Sequence, residues 1–192
     1  MIQYEDIAIG HIPRTGGDVT NFLVYAHLMR QHSKHYPPTQ TKCFDRKRYF
    51  LLFRRLPNWF LSYLTCGIQY GKYPKHIPWP KPTLEEIFNI DSGYGEKFIH
   101  EESIRGPLVT IADRYIDLFT IGQPPISGII RLEFIAEDLG KLLGDKIRVP
   151  KVFSKKRMPK YNKDPLAHWS KKQIQILYDM NPKWSEIERR CY

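Results

Sequence analysis

A glycine-bearing loop near the N-terminus is the part of the sequence best suited to chemistry. It reads Pro13-Arg14-Thr15-Gly16-Gly17 and lies between an apolar segment and a segment with helical spacing. Paired glycines let backbone N–H groups converge, and a helix start adds partial positive charge, so this arrangement can hold phosphate or sulfate without a metal. Arg14 adds a forked cation that can grip two oxygens. The loop indicates an anion site; the alternative is an ordinary strand-to-helix turn.

A second basic segment, residues 53–57, reads Phe-Arg-Arg-Leu-Pro, and Ser62 follows Arg54 by eight positions. An arginine at the carboxyl end of a strand and a serine on the next helix can converge on one phosphate. Ligands of open α/β sheets bind outside the carboxyl ends of the strands, where Arg14 and Arg54 are both expected. Taken alone, the segment is better explained by solvated arginines that cap a strand and by a serine on a helix surface.

The N-terminal loop is not a Walker A loop, which would need glycine, four residues and then Gly-Lys-Ser/Thr. Here Gly17 is followed by Asp18, whose negative charge opposes an incoming phosphate. The sequence therefore argues against an ATP-hydrolysing or kinase function.

Alternating strands and helices must position these segments. Continuous apolar runs such as residues 49–53 are typical of parallel strands buried on both faces, and strands alternating with helices favour a parallel sheet. We predict one α/β domain over residues 1–192, with a central, mainly parallel sheet flanked by helices. The predicted strands are 4–12, 48–54 and 126–134, and the predicted helices are 19–29, 57–67, 83–90, 107–119, 136–143 and 170–191, the last divided at Pro182.

The composition is that of a globular protein with an anionic partner. Of 192 residues, 42% are hydrophobic and 14% aromatic, which excludes a disordered tail. The net charge of +10 predicts a nucleotide, nucleic acid, acidic glycan or membrane surface as partner, unless the charge only maintains solubility. Three scattered cysteines predict neither a disulfide framework nor a zinc site. Without a membrane-spanning run or a signal peptide, a cytoplasmic protein is expected.

Taken together, these segments resemble the PAPS-dependent sulfotransferases, and the glycan-modifying branch more closely than the cytosolic one. Residues 11–17 are similar to that branch's 5′-phosphosulfate loop, with arginine in place of the usual lysine. Residues 53–63 resemble the 3′-phosphate segment, although Arg55 and Leu56 replace an Asp-Pro pair. Residues 130–139 are similar to a late strand and helix with an Arg-Phe-Glu-x-Leu pattern.

The resemblance implies a P-loop NTPase-like sulfotransferase fold and transfer of a sulfuryl group from PAPS to a hydroxyl, with a carbohydrate as the expected acceptor and no metal. Arg14 would stabilise charge on the bridging oxygen and on the transferring group. A late basic run, residues 151–163, would close over the 3′-phosphate, or would face an anionic acceptor, or would be solvated charge. The expected cofactor-binding residues are Arg14, Thr15, Gly16, Gly17, Asp18, Val19, Thr20, Arg54, Ser62, Lys155, Lys156 and Arg157.

The reaction also needs a base for the acceptor hydroxyl. His35 falls where the resembling enzymes often place a histidine or glutamate before the second strand, and histidine has a pKa near neutrality. The alternative is a surface histidine, with His32 as the substitute base.

Two other functions stay open. Asp18 and Val19 occupy positions where the family places hydroxyls, which suggests a nucleotide-binding protein of the same fold without turnover. The net charge and interleaved aromatic residues suggest a nucleic-acid-binding module, but its charges are dispersed and no nucleic-acid motif occurs, so no nucleic-acid partner is expected.

Overall fold

The chain folds into two compact units, residues 1–54 with 119–155 and residues 55–118 with 156–192. The single domain expected over residues 1–192 stays a prediction. The architecture is known from a computed structural model. It describes residues 1–4, 6–16, 20, 23, 30–31, 38, 47–69, 106–144 and 162–192.

The first unit is built on a five-stranded sheet of order β3-β1-β2-β4-β5. Strands β2, β4 and β5 are the three predicted ones and pair in parallel, whereas β1 pairs antiparallel with β2 and β3. The α/β class is confirmed, and two antiparallel strands at one edge were not predicted. The strands are β1 Ile2–Tyr4, β2 Ile7–His11, β3 Arg30–Gln31, β4 Arg48–Phe53 and β5 Ile126–Arg131.

Most of the strand predicted over residues 4–12 is β2, but Tyr4 ends a separate antiparallel strand, β1, so the chain is divided before β2. The division falls at Asp6, which is exposed and whose carboxylate accepts two hydrogen bonds from the Arg48 guanidinium, at 2.7 and 3.2 Å. The backbone N–H of Arg48 also donates to the Asp6 carbonyl. An acid that must stay hydrated cannot continue a buried strand, so the chain reverses here.

The described helices agree to within a few residues with those predicted over 57–67, 107–119, 136–143 and 170–191. The helix predicted over 83–90, and nearly all of the one predicted over 19–29, lie outside the described residues. The predicted helix over 107–119 begins as a 3₁₀ turn, and the predicted strand over 126–134 ends in one. No helix of the described ranges is both long enough and apolar enough to cross a bilayer. The helices are α1 Leu56–Gln69, α2 Ile111–Thr120, α3 Ile135–Leu143, α4 Lys171–Asp179 and α5 Pro182–Cys191, with 3₁₀ turns at Leu108–Thr110, Leu132–Phe134 and Pro165–Ala167.

Glycines on both sides of β4 make room for its aromatic side chains. A Cβ on Gly10 would lie 2.2 Å from the Tyr49 hydroxyl, and one on Gly128 would lie 2.9 Å from the Phe50 ring. Successive residues of a strand face opposite sides of the sheet, so the two rings pack on different faces. Burial raises the pKa of the Tyr49 phenol, which donates a 3.5 Å hydrogen bond to the Phe119 carbonyl.

The second unit has an aromatic core centred on Trp59 of α1. Its ring lies 4.6 Å from that of Trp184 and 5.2 Å from that of Tyr63, centroid to centroid. Helix α1 begins against a carboxylate: the Leu56 N–H donates to Glu188 Oε2 at 2.8 Å. This bond caps an N–H that has no partner within the helix.

Candidate functional site

The chain leaves β2 through a tight turn of four residues, Ile12 to Thr15. The Thr15 N–H donates to the Ile12 carbonyl at 3.2 Å, and Arg14 has φ of +69°. Because proline fixes φ of Pro13 near −65°, a positive φ at the next residue makes this a type II turn. Glycine normally occupies that position, since the left-handed conformation costs other residues about 1–2 kcal/mol. Arg14 is therefore held in a strained conformation, of a kind that clusters at functional sites.

Gly16 completes the loop and connects it to the chain that follows. Its φ is +94°, and its carbonyl accepts the N–H of Thr20 at 2.9 Å, the spacing of a helical turn. A Cβ on Gly16 would lie 2.3 Å from Cδ1 of Leu132, the residue that follows β5. Both its conformation and the close approach of this side chain require glycine here.

The two loop threonines that were expected to bind the cofactor are fully buried. Thr15 Oγ1 donates to the Ile12 carbonyl at 2.6 Å, and Thr20 Oγ1 donates to the Gly16 carbonyl at 3.1 Å. A hydroxyl has one hydrogen to donate, so both are used inside the loop. Neither hydroxyl therefore has a hydrogen left to donate to a bound anion.

The second predicted arginine lies at the same edge of the sheet. Strands β2 and β4 are parallel, with His11 opposite Leu52, and Arg54 directly follows the last residue of β4. Arg14 and Arg54 therefore both follow the carboxyl ends of adjacent strands. Neighbouring strands are about 4.8 Å apart, so these two strand ends are close together. Both side chains are half-buried. The edge therefore combines a strained loop with two cations.

A third arginine at this edge is engaged by a carboxylate of its own unit. The Arg131 guanidinium donates to both oxygens of Asp138 at 2.9 and 2.6 Å, the Arg131 N–H donates to the same carboxylate at 2.8 Å, and the guanidinium lies over the Phe134 ring. Burial raises the pKa of Asp138, but the hydrogen bonds and charge of Arg131 outweigh it, and the pKa is lowered. This pair joins the end of β5 to α3. The sequence pattern of residues 130–139 did not predict this pair.

Ser62, expected beside Arg54 at the 3′-phosphate, belongs to the second unit and is buried on α1. The first N–H of that helix is occupied by the Glu188 carboxylate. The remaining predicted residues lie outside the described part of the chain; they are Gly17, Asp18, Val19, His32, His35, Lys155, Lys156 and Arg157.

The second unit also has an open groove, of about 790 Å³, beside α4 and α5. Its lining includes the cations Arg55 and Arg189 and the acids Asp179 and Glu188. The Arg55 guanidinium lies 4.7 Å from the centre of the Tyr192 ring. Because charges of both signs line this groove, its lining gives no preference for an anion.

We expect Gly16→Ala to lower the free energy of unfolding by more than the roughly 1–2 kcal/mol that a positive φ costs alanine, because the added methyl also meets Leu132. Denaturant unfolding measures the change. In a Leu132→Ala background the same substitution should cost less, since the contact with the leucine is gone and only the backbone strain stays. An equal cost in both backgrounds would contradict the close approach of Leu132 to the loop.

Comparisons of the chain with protein-family models, with curated proteins and with solved structures find no significant match. In the described ranges, no three or more His, Cys, Asp or Glu side chains are grouped so that they could hold a metal ion. The features that bear on function are therefore the loop after β2 and the arginines at the same edge of the sheet.

Proposed function

We propose that this chain is a PAPS-dependent sulfotransferase with a sulfotransferase-type fold. The observation that carries the proposal is the strained turn at Arg14, which precedes Gly16 at the carboxyl edge of a parallel sheet. Backbone strain of this kind persists only where the surrounding structure enforces it, and it is found most often at active sites and ligand-binding loops. A cation presented beside a loop of backbone N–H groups suits a 5′-phosphosulfate.

In this reaction PAPS supplies an activated sulfuryl group. The acceptor hydroxyl oxygen bonds to sulfur, the bond from sulfur to the bridging phosphate oxygen breaks, PAP leaves, and the hydroxyl proton passes to a base. Arg14 stabilises the charge that develops on the bridging oxygen, as cations do in phosphoryl transfer. His35 is the proposed base, with His32 as the substitute. Positioning and charge carry the catalysis, so no metal is needed.

Arg54 is proposed to bind the 3′-phosphate, the group that distinguishes PAPS from ATP. Its support is its place directly after β4, beside the strand that leads into the loop. The resemblance adds Ser62 and the basic residues Lys155, Lys156 and Arg157 to this role. The acceptor is proposed to be a carbohydrate hydroxyl, and the net charge of +10 suits an acidic glycan.

A nucleotide-binding protein without turnover is the second candidate. Two observations favour it: the Thr15 and Thr20 hydroxyls both donate within the loop, and Asp18 and Val19 stand where the family has hydroxyls. Such a protein would still bind PAP at Arg14. The two candidates differ in whether the bound sulfuryl group is transferred to an acceptor, not in whether the nucleotide binds.

We expect PAP and PAPS to raise the melting temperature and ATP to raise it less, because ATP lacks the 3′-phosphate. A ligand at ten times its Kd that binds only the native state adds about 1.4 kcal/mol, or roughly 3–5 °C for a chain of this size. Calorimetry with PAP, with ATP and with a short oligonucleotide measures the affinities directly. Equal affinities for PAP and ATP would indicate a generic nucleotide site, and preference for the oligonucleotide would indicate a nucleic-acid-binding protein.

Transfer itself is tested with labelled PAPS and a panel of desulfated glycans. Label appearing on a glycan supports the sulfotransferase. Tight PAP binding without transfer to any acceptor of the panel supports the binding protein instead.

A further inference from the structure

Leu132 occupies a point where three parts of the first unit meet. It directly follows β5 and begins the 3₁₀ turn Leu132–Phe134 that leads into α3. Its side chain packs against the hydrophobic core that includes Ile135 and Leu139 of that helix. It is only partly buried, so part of its surface faces away from this core.

The side chain of Leu132 also lies against the loop that follows β2. The position of a Cβ on Gly16 would be 2.3 Å from Leu132 Cδ1 and 3.3 Å from its Cδ2 and Cγ atoms. The leucine methyl therefore fills the volume that a side chain on Gly16 would take. Gly16 has φ of +94°, a conformation in which glycine has wide freedom. A neighbour that fills the space beside it restricts that freedom.

The leucine is itself held in place from both sides. The preceding residue, Arg131, is fixed by three hydrogen bonds to Asp138 of α3, one from its backbone N–H and two from its guanidinium. Buried residues form the core behind Leu132, and protein interiors are generally packed closely enough to transmit displacement. The position of the leucine methyl is therefore determined by the junction of β5 with α3.

We propose that Leu132 is a positioning residue for the anion-binding loop. By filling the space over Gly16, it restricts the backbone of that glycine and so fixes the turn that presents Arg14 to a bound phosphate or sulfate. Arg131 and Asp138 fix Leu132 in turn. The proposal rests on the proposed PAPS site, whose loop it orients; Leu132 contacts the loop, not the ligand.

The test compares Leu132→Ala with Leu139→Ala, the same truncation in the same core but at a residue of α3 that is fully buried. We expect Leu132→Ala to weaken PAP binding about tenfold, since small misplacements of binding groups carry costs of this order or larger. Leu139→Ala should lose stability and keep the wild-type PAP affinity. Leu132→Met, which restores most of the volume, should recover the affinity. PAP affinity unchanged in Leu132→Ala, or lowered equally in both alanine variants, would overturn the proposal.

A second measurement needs no ligand. The Thr20 N–H donates to the Gly16 carbonyl, so its hydrogen exchange reports on the loop. Exchange at Thr20 should be faster in Leu132→Ala than in Leu139→Ala, and equal rates would overturn the positioning role. If the wild-type protein does not bind PAP, the proposed function fails, and the exchange rates still decide the role of Leu132.

Discussion

Arg14→Ala is expected to weaken PAP binding by about 1.5–3 kcal/mol, roughly 10- to 150-fold in Kd, because a charge-assisted contact to phosphate is lost. Arg54→Ala should have an effect of the same order. Calorimetry on the folded variants measures both. Unchanged PAP affinity in either variant would remove that arginine from the site.

Arg14→Gly separates loss of charge from damage to the turn. Glycine accepts a φ of +69° without strain, so this variant should be as stable as the wild type or more stable, by up to about 1 kcal/mol. Its loss of PAP affinity should nevertheless equal that of Arg14→Ala. If Arg14→Gly keeps wild-type affinity, the backbone of the turn matters and the guanidinium does not.

Arg48→Ala is the matched control for these substitutions. Arg48 begins β4, at the end of the strand opposite to Arg54, and its guanidinium pairs with Asp6 on the surface. Removing it lowers the net charge of the chain by the same amount as removing Arg14. PAP affinity should be unchanged at moderate salt, and a loss equal to that of Arg14→Ala would mean that PAP responds only to overall charge.

Asn181→Ala is expected to lower the free energy of unfolding by about 2–4 kcal/mol, the largest effect we expect on stability. Asn181 is fully buried, and its amide Nδ2 donates to the carbonyls of Val109 and Leu177 at 2.7 and 2.9 Å. Its Oδ1 accepts the N–H of Asp113 at 3.2 Å. Alanine leaves two buried carbonyls and one partly buried N–H without this partner. Each unsatisfied buried group costs about 1–3 kcal/mol before relaxation.

Denaturant unfolding of Asn181→Ala and of Ser170→Ala gives the comparison. Ser170 is exposed and caps α4 through a reciprocal pair of hydrogen bonds with Gln173. Loss of such a cap costs about 1 kcal/mol. A cost for Asn181→Ala no greater than for Ser170→Ala would contradict the role of the buried amide.

The start of α5 shows where local sequence stops predicting contacts. Asn181 followed by Pro182 predicts a helix start, and α5 does begin at Pro182. Asparagine at such a position usually caps its own helix, but the Asn181 side chain turns inward, and Asp113 accepts the N–H groups of Lys183 and Trp184 at 3.1 and 2.9 Å instead. The partner lies about 70 residues away, where no local pattern can identify it.

For the site, the sequence by itself determined the order of strand and loop and the two arginines that follow β2 and β4. Apolar runs and glycine or proline signals are local properties, and parallel pairing then brings the carboxyl ends of both strands to one edge. The strain at Arg14 was not predictable, since arginine rarely takes a positive φ. It exists because Pro13 and the bond from Thr15 to Ile12 close the turn around it.

Only the tertiary structure decided which groups of the site are already engaged. The pattern of residues 130–139 gave no sign that Arg131 would be held by Asp138, or that Leu132 would lie over Gly16. The spacing of Ser62 after Arg54 predicted a 3′-phosphate contact, but it gave no sign that α1 buries this serine. Each outcome depends on packing between segments far apart in the chain. Sequence spacing determines which residues can lie on the same helix or strand. Neighbours in the folded structure determine which hydrogen-bonding groups already have partners and which spaces are already filled by side chains.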